Sequence, residues 1–218
     1  MWRTSQRRQI AFVVLLGCFI MSYPGTGQKL SVGISKLEVT SATKKNVTGE
    51  KRNSMKRVIQ AMENQLIDRL HNTRKFKVVA RSDLEKILEE QDLQKELAED
   101  PVQAFKIAGC KYTVVTTVDD FQDIVEKLEG AGGQVIASKR KIRLSAVAKI
   151  YNTETAELKE SANFQLSHKE GEEHQLDVSA DGSESDKLLV AMARTMAERI
   201  ANRVVDVIFP AKVISKTG

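Results

Sequence analysis

The chain reads as an α/β (α+β) protein, a single domain with helices packed on a mixed β-sheet in the order β-α-β-α-α-β-β-β-α-β. Three observations predict this. Two long stretches, about 51–70 and 185–208, keep their apolar residues at helical spacing. A third, over 142–150, alternates apolar and polar with period two. Between these, residues 76–121 hold a short β-branched run, two helix starts and a second β-branched run. With 218 residues, 41% hydrophobic content and no internal repeat, the chain has apolar material for one core and no need of a second domain.

The first residues read as a leader. Met1 to Gln9 carries Arg3, Arg7 and Arg8 and no acid, and Ile10 to Met21 is an apolar run of signal-peptide rather than membrane-span length. A basic leader start explains Arg7-Arg8 without twin-arginine export. The organisation expected is a signal peptide over 1–27 and one α/β domain over 28–218. Two first mature residues are open. Leu15-Leu16-Gly17-Cys18 has the form of a lipobox, which makes Cys18 a lipidation candidate, although Phe19-Ile20-Met21 prolongs the apolar run beyond it. Ordinary cleavage after Gly25-Thr26-Gly27 would instead leave Gln28 first, because Pro24 breaks the helix and small residues follow.

The domain then begins with a strand. Leu30, Val32 and Ile34 alternate, and Leu37 and Val39 resume one residue out of phase, so a bulge is expected near Ser35-Lys36. Ser41 to Gly49 is polar and reads as a loop. The first long helix follows, with Met55, Val58, Ile59, Met62, Leu66 and Leu70 on one face and Lys51, Arg52, Lys56, Arg57, Glu63 and Asp68 toward water. Its methionines read as core rather than as a ligand groove.

In the central block, Phe76, Val78 and Val79 form a strand that meets Ser82-Asp83-Leu84-Glu85, whose Ser-x-x-Glu spacing predicts a capping box starting at Ser82. Asp100-Pro101 starts a second helix, in which Ala104, Ile107 and Ala108 keep the spacing until Gly109 stops it. Tyr112, Val114, Val115 and Val118 then form a strand. Further on, Ile142, Leu144, Ala146, Ala148 and Ile150 mark a strand with an apolar face. Asn152 to Thr155 turns the chain, and Leu158, Ala162, Phe164 and Leu166 are expected on the same side of the returning strand. Lys139, Arg140, Lys141, Arg143 and Lys149 read as a solvated sheet face balanced by Glu157 and Glu160 rather than as an anion-binding patch. The last helix carries Leu189, Met192, Met196, Ile200 and Val204, with Ala193, Ala197 and Ala201 as a small-residue ridge. Phe209-Pro210 ends it, before a short closing strand at Ala211 to Ile214.

Charge and chemistry exclude several functions. The net charge of +5 falls to +2 once the three leader arginines are removed from the 34 bases and the rest set against 29 acids. Together with an aromatic content of 5%, that gives no footprint for nucleic acid. Cys18 and Cys110 are the two cysteines, so no disulfide framework exists, and Cys110 reads as a buried apolar residue rather than a nucleophile. His168 and His174, near Glu170, Glu172 and Glu173, invite a metal reading but fall in a glycine-containing acidic stretch that reads as a solvated loop. His71 has no evident partner. Gly130-Ala-Gly-Gly133 lacks the helix and lysine of a phosphate cradle, and Asp119-Asp120, adjacent on a strand, would face opposite ways. No catalytic, cofactor-binding or metal residue is therefore assigned, and no cofactor is expected.

The pattern Phe-x-Val-Val-x-Arg-Ser-Asp-Leu-x-x-Ile-Leu-x-Glu-Gln from Phe76, then Ala-Gly-Cys-Lys-Tyr-Thr-Val-Val-Thr from Ala108, then Tyr-Asn-Thr-Glu-Thr-Ala-Glu-Leu from Tyr151, resembles the CsgG-like curli-secretion family. It is also similar to the periplasmic domains of lipoprotein activators of penicillin-binding proteins and to the TolB amino-terminal domain. The resemblance runs from about Leu30 to Ile214, with Thr116 and Ala156 standing where the family usually has glycine. The Asn46-Val-Thr48 sequon is discounted because leader and family look bacterial.

The resemblance implies a non-enzymatic cell-envelope protein, an assembly- or secretion-associated binding or scaffold module in the periplasm or on the periplasmic face of the outer membrane. Envelope proteins, a homo-oligomer and a lipid anchor at Cys18 are the partners and attachments it implies. A lipoprotein-type activator docked on a peptidoglycan synthase is the alternative within binding modules, and an unrecognised enzyme is the alternative of another class. Charge at Asp123, Glu126 and Lys127, and seven acids between Glu170 and Asp186, argue against the membrane hairpins with which the family's channel spans lipid.

Overall fold

The computed structural model describes residues 29–84, 100–129, 135–169 and 184–211. Its strands are β1 (Leu30–Ile34), β2 (Glu38–Val39), β3 (Phe76–Ala80), β4 (Tyr112–Glu129), β5 (Val135–Asn152) and β6 (Leu158–Lys169). Its helices are α1 (Ser41–Asn46), α2 (Glu50–Asn72), α3 (described over 81–84), α4 (Pro101–Ile107) and α5 (Glu184–Ile208). The sheet runs β3-β1-β4-β5-β6, and β2 pairs with β4 beyond the end of β1. Pairings around β1 are parallel, whereas β4-β5-β6 is antiparallel. The mixed sheet and single domain are as the sequence predicts.

The out-of-phase resumption at Leu37 has the expected cause. Ile34 lies opposite Val114 and Glu38 opposite Thr117, so four steps along β1–β2 face three along β4. One residue is extra, which is a bulge. Ser35 N–H still donates to the Val114 carbonyl at 3.0 Å, and Thr40 N–H to that of Val118 at 3.0 Å.

α2 and α5 cover one face of the sheet. Met55, Val58, Met62, Leu66 and Leu70 meet Leu189, Met192, Met196, Ile200 and Val204 in a single core with Val32, Ile34, Val114, Val118 and all five apolar-face residues of β5. α4 covers the opposite face only near β1. There Phe105, Ala104, Leu84 and Cys110 form a second, small cluster.

Local signals at α4 work as the sequence implies. The Asp100 carboxylate accepts from Val102 N–H at 2.9 Å, and Pro101 occupies the first turn. Gly109 takes φ 71°, which lets its N–H reach the Lys106 carbonyl at 3.0 Å and Cys110 N–H the Phe105 carbonyl at 2.9 Å. That pair of bonds is a Schellman ending.

Several expectations need correction. Ser41–Asn46 is helical rather than a loop: Thr40 caps it by accepting from Thr43 N–H at 3.3 Å, and the Thr43 hydroxyl ties it to β4 through the Asp119 carbonyl at 2.5 Å. Helix α3 already includes Arg81, so Ser82 lies inside its first turn instead of capping it, while Glu85 lies outside the described residues. Ile107 is exposed, and α4 buries Phe105 beside Ala104. Leu158 is also exposed, since a register shift at Ile150/Tyr151 puts it opposite Tyr151 rather than in line with Ala162, Phe164 and Leu166. The closing strand at Ala211 to Ile214 lies, but for Ala211, outside the described residues, as does the leader with Cys18.

Candidate functional site

β4 and β5 form a hairpin with arms of 18 residues each, and the core shared with α2 and α5 extends along it to Phe121 and Ile142. On its helix-side face, Asp123 sits opposite Ile142, and Arg140 two residues on reaches it diagonally. The guanidinium takes both carboxylate oxygens, at 2.8 Å from Nε and 2.6 Å from Nη2, with side chains only 16% and 8% exposed for Arg140 and Asp123. A planar fork on a carboxylate is the geometry that holds two charges away from water. On the other face, Arg143 meets Asp120 at 3.2 Å. With its amide oxygen turned inward, Gln165 of β6 also accepts from Arg143, at 2.7 and 2.8 Å.

Arg140 and Arg143 of β5 are thus balanced by acids of β4, not by Glu157 and Glu160 as expected. Glu157 pairs with Lys159 at 2.7 Å, and Glu160 receives Arg203 of α5 at 2.8 Å. A second register shift between Val118 and Asp120 is the reason. It leaves Asp119 outside the ladder and exposed while Asp120 faces Ser145, so the two adjacent acids do not simply alternate.

The candidate reactive groups are dispersed. Cys110 is buried beneath α4, and its thiol is pushed up to about 11 by burial, with Lys77 pulling weakly the other way. It is a core residue, as the sequence suggests. His168 belongs to β6 rather than to a loop: it is half-buried opposite Ile142, in one row with Asp123. His174 and Glu170, Glu172 and Glu173 lie outside the described residues, and His71 is exposed near the end of α2. Thr116, buried on the helix side, has a hydroxyl that reaches no partner. Ala156 takes φ 56° in the β5–β6 turn.

One feature escaped sequence reasoning. Between α2 and α5 lies an open cleft of about 410 Å³, lined by Arg57, Gln60, Ala61, Asn64, Leu189 and Val190. Polar residues of one helix face apolar residues of the other across it. Its walls come from positions on two helices more than a hundred residues apart, and only packing brings them together.

The class defined is a layered α/β domain with a six-stranded mixed sheet. The sequence pattern of one family, described as the curli production assembly/transport component CsgG, matches residues 21–167, through most of β6. The chain belongs to that family, and is a cell-envelope protein of the CsgG-like kind. No curated protein sequence matches it. Among solved structures, it is similar to the hypothetical protein CT253 from Chlamydia trachomatis, at 11% identity and a TM-score of 0.46 over 84% of this chain and 99% of that one. It is also similar to lipoprotein GNA1162 from Neisseria meningitidis, at 11% identity and a TM-score of 0.39 over 79% and 99%. A PelC dodecamer from Paraburkholderia phytofirmans gives 9% identity and 0.39 over 78% and 85%.

Proposed function

We propose that the protein is a non-enzymatic binding or scaffold module of the cell envelope, associated with assembly or secretion and exported through the leader over 1–27. The observation that carries this reading is the family match across 21–167. The pairing of the sheet's charges supports it: Asp123, Asp120 and Glu160 are each engaged by an arginine in a structural contact rather than arranged around a reaction site. Its partners are other envelope proteins and further copies of itself, at the periplasmic face of the outer membrane or in the periplasm.

Within that reading the chain forms no pore by itself. A lipid-facing hairpin needs one apolar face along each spanning strand. The β4–β5 arms instead carry Asp123 and Arg140 on one face and Asp120 and Arg143 on the other. Among the described residues, no helix is long and apolar enough to cross a membrane.

Affinity purification from envelope extract, followed by mass spectrometry, tests the module. Recovery with envelope assembly proteins is expected; recovery with a cell-wall synthase would favour the activator alternative, and exclusive recovery with a metabolic enzyme complex would overturn the reading. Residues 29–218 are expected to leave liposomes impermeable, and ion-conducting oligomers in planar bilayers would refute the pore-free assignment. Intact mass from the native host decides export: a diacylglyceryl group on Cys18 or a terminus at Gln28 supports it, whereas a chain retaining Met1 to Leu15 rejects it.

A further inference from the structure

The two ends of the sheet are finished differently. At β3, the chain leaving α5 folds over the edge region: the Phe209 ring lies 5.4 Å from that of Phe76, with Lys75 Nζ 5.4 Å from the Phe209 ring centre. At the other end β6 pairs with β5 alone among the described residues. From Glu160 to Lys169 its register with β5 runs without a shift. Residues 161–167, Ser-Ala-Asn-Phe-Gln-Leu-Ser, contain no charge, proline or glycine. Edge strands are ordinarily blunted by just such residues or by bulges, because a row of unpaired backbone groups is a template for another strand.

Two further observations point to a strand as the missing neighbour. Ala162, Phe164 and Leu166 continue the apolar face that β5 buries completely, yet each is only half-buried. The Gln165 carbonyl already takes a donor from outside the ladder, Arg199 Nη1 at 3.3 Å. An added strand would replace that single bond by ladder bonds and cover the exposed flank of Phe164.

We propose that β6 is a self-association edge, at which a second copy of this chain adds its own β6 antiparallel about a two-fold axis at Phe164. The sequence is self-complementary in that register. Phe164 meets Phe164, Ala162 meets Leu166, Asn163 meets Gln165 and Ser161 meets Ser167, so the uncharged segment pairs wholly with itself. The flanking Glu160 meets His168, and the like-charged Lys159 and Lys169 meet only at the ends. A two-fold perpendicular to the sheet also keeps both α5 helices on one side, so apolar face continues into apolar face. This gives a surface to the self-association included in the proposed function and rests on that part of it.

The test uses charge placed on the open, exposed side of β6, where Ser161 lies opposite Lys149 and Ser167 opposite Arg143 within one chain. Ser161→Glu with Ser167→Glu therefore suits the monomer but sets glutamates against each other across the proposed interface. Sedimentation velocity of purified protein is expected to show a dimer for wild type and self-association roughly tenfold weaker for this double variant. Mixing it with Ser161→Lys/Ser167→Lys is expected to restore dimers containing one copy of each. A wild-type monomer at every concentration, unchanged association of the glutamate variant, or no restoration on mixing would each overturn the proposal. Circular dichroism of each variant confirms folding. Monomeric behaviour would leave the envelope reading standing, since partner capture tests that separately.

Discussion

The ring of Phe105 occupies the space in which a side chain at Gly33 would begin. A Cβ at Gly33 would lie 2.2 Å from Phe105 Cδ1, far inside contact distance, so glycine in β1 is what allows α4 to seat on the sheet. Gly33 takes no unusual φ; its role is steric. Gly33→Ala is therefore expected to destabilise by about 1–3 kcal/mol through overpacking, read as a lowered urea midpoint. Pairing it with Phe105→Leu should recover part of the loss, and an unchanged midpoint for Gly33→Ala alone would show that α4 seats elsewhere.

At Ala156 the opposite substitution is favourable. A Cβ at φ 56° costs about 1–2 kcal/mol, and glycine returns part of this through its freer unfolded chain. Ala156→Gly should raise stability by roughly 0.5–1 kcal/mol. Thermal unfolding checks it, and a lower melting temperature would contradict the turn geometry.

The Asp123–Arg140 fork predicts strong non-additivity. Arg140→Met leaves a carboxylate with little access to water and should cost about 3 kcal/mol, whereas Asp123→Leu combined with Arg140→Met should cost much less. A double-mutant cycle by chemical denaturation measures the difference. Additive losses would mean that the two charges act independently.

Cys110 should be silent in the folded protein. With its thiol raised from the usual 9.0 to about 11, it stays protonated at pH 8 and is sheltered by α4. A disulfide-exchange reagent is expected to label it only at the rate of unfolding. The linkage has a definite sign: between pH 9 and 11 the native state holds the proton that the unfolded chain releases, so stability should fall as pH rises through that window. Cys110→Ala should flatten that part of the profile.

What the sequence by itself determined are the features whose causes are local or periodic. The faces of α2 and α5 were legible because long helices repeat their apolar spacing many times, and the apolar face of β5 because alternation persists for nine residues, 142–150. The bulge after Ile34, the Asp100-Pro101 start and the Gly109 stop were legible too, since phase, capping and left-handed φ belong to one or two residues. Tertiary structure decided the rest. Helix α1 is six residues with one apolar side chain, too short for periodicity to register, and it is held by the contact of Thr43 with Asp119. In α4, seven residues could not tell whether Phe105 or Ile107 faces inward, because only the side-chain-free surface at Gly33 selects the phenylalanine. The partners of Arg140 and Arg143 depend on a register shift in β4 and on the length of the β4–β5 hairpin. Which acid meets which cation follows from how two strands align, and no single stretch of sequence carries that alignment.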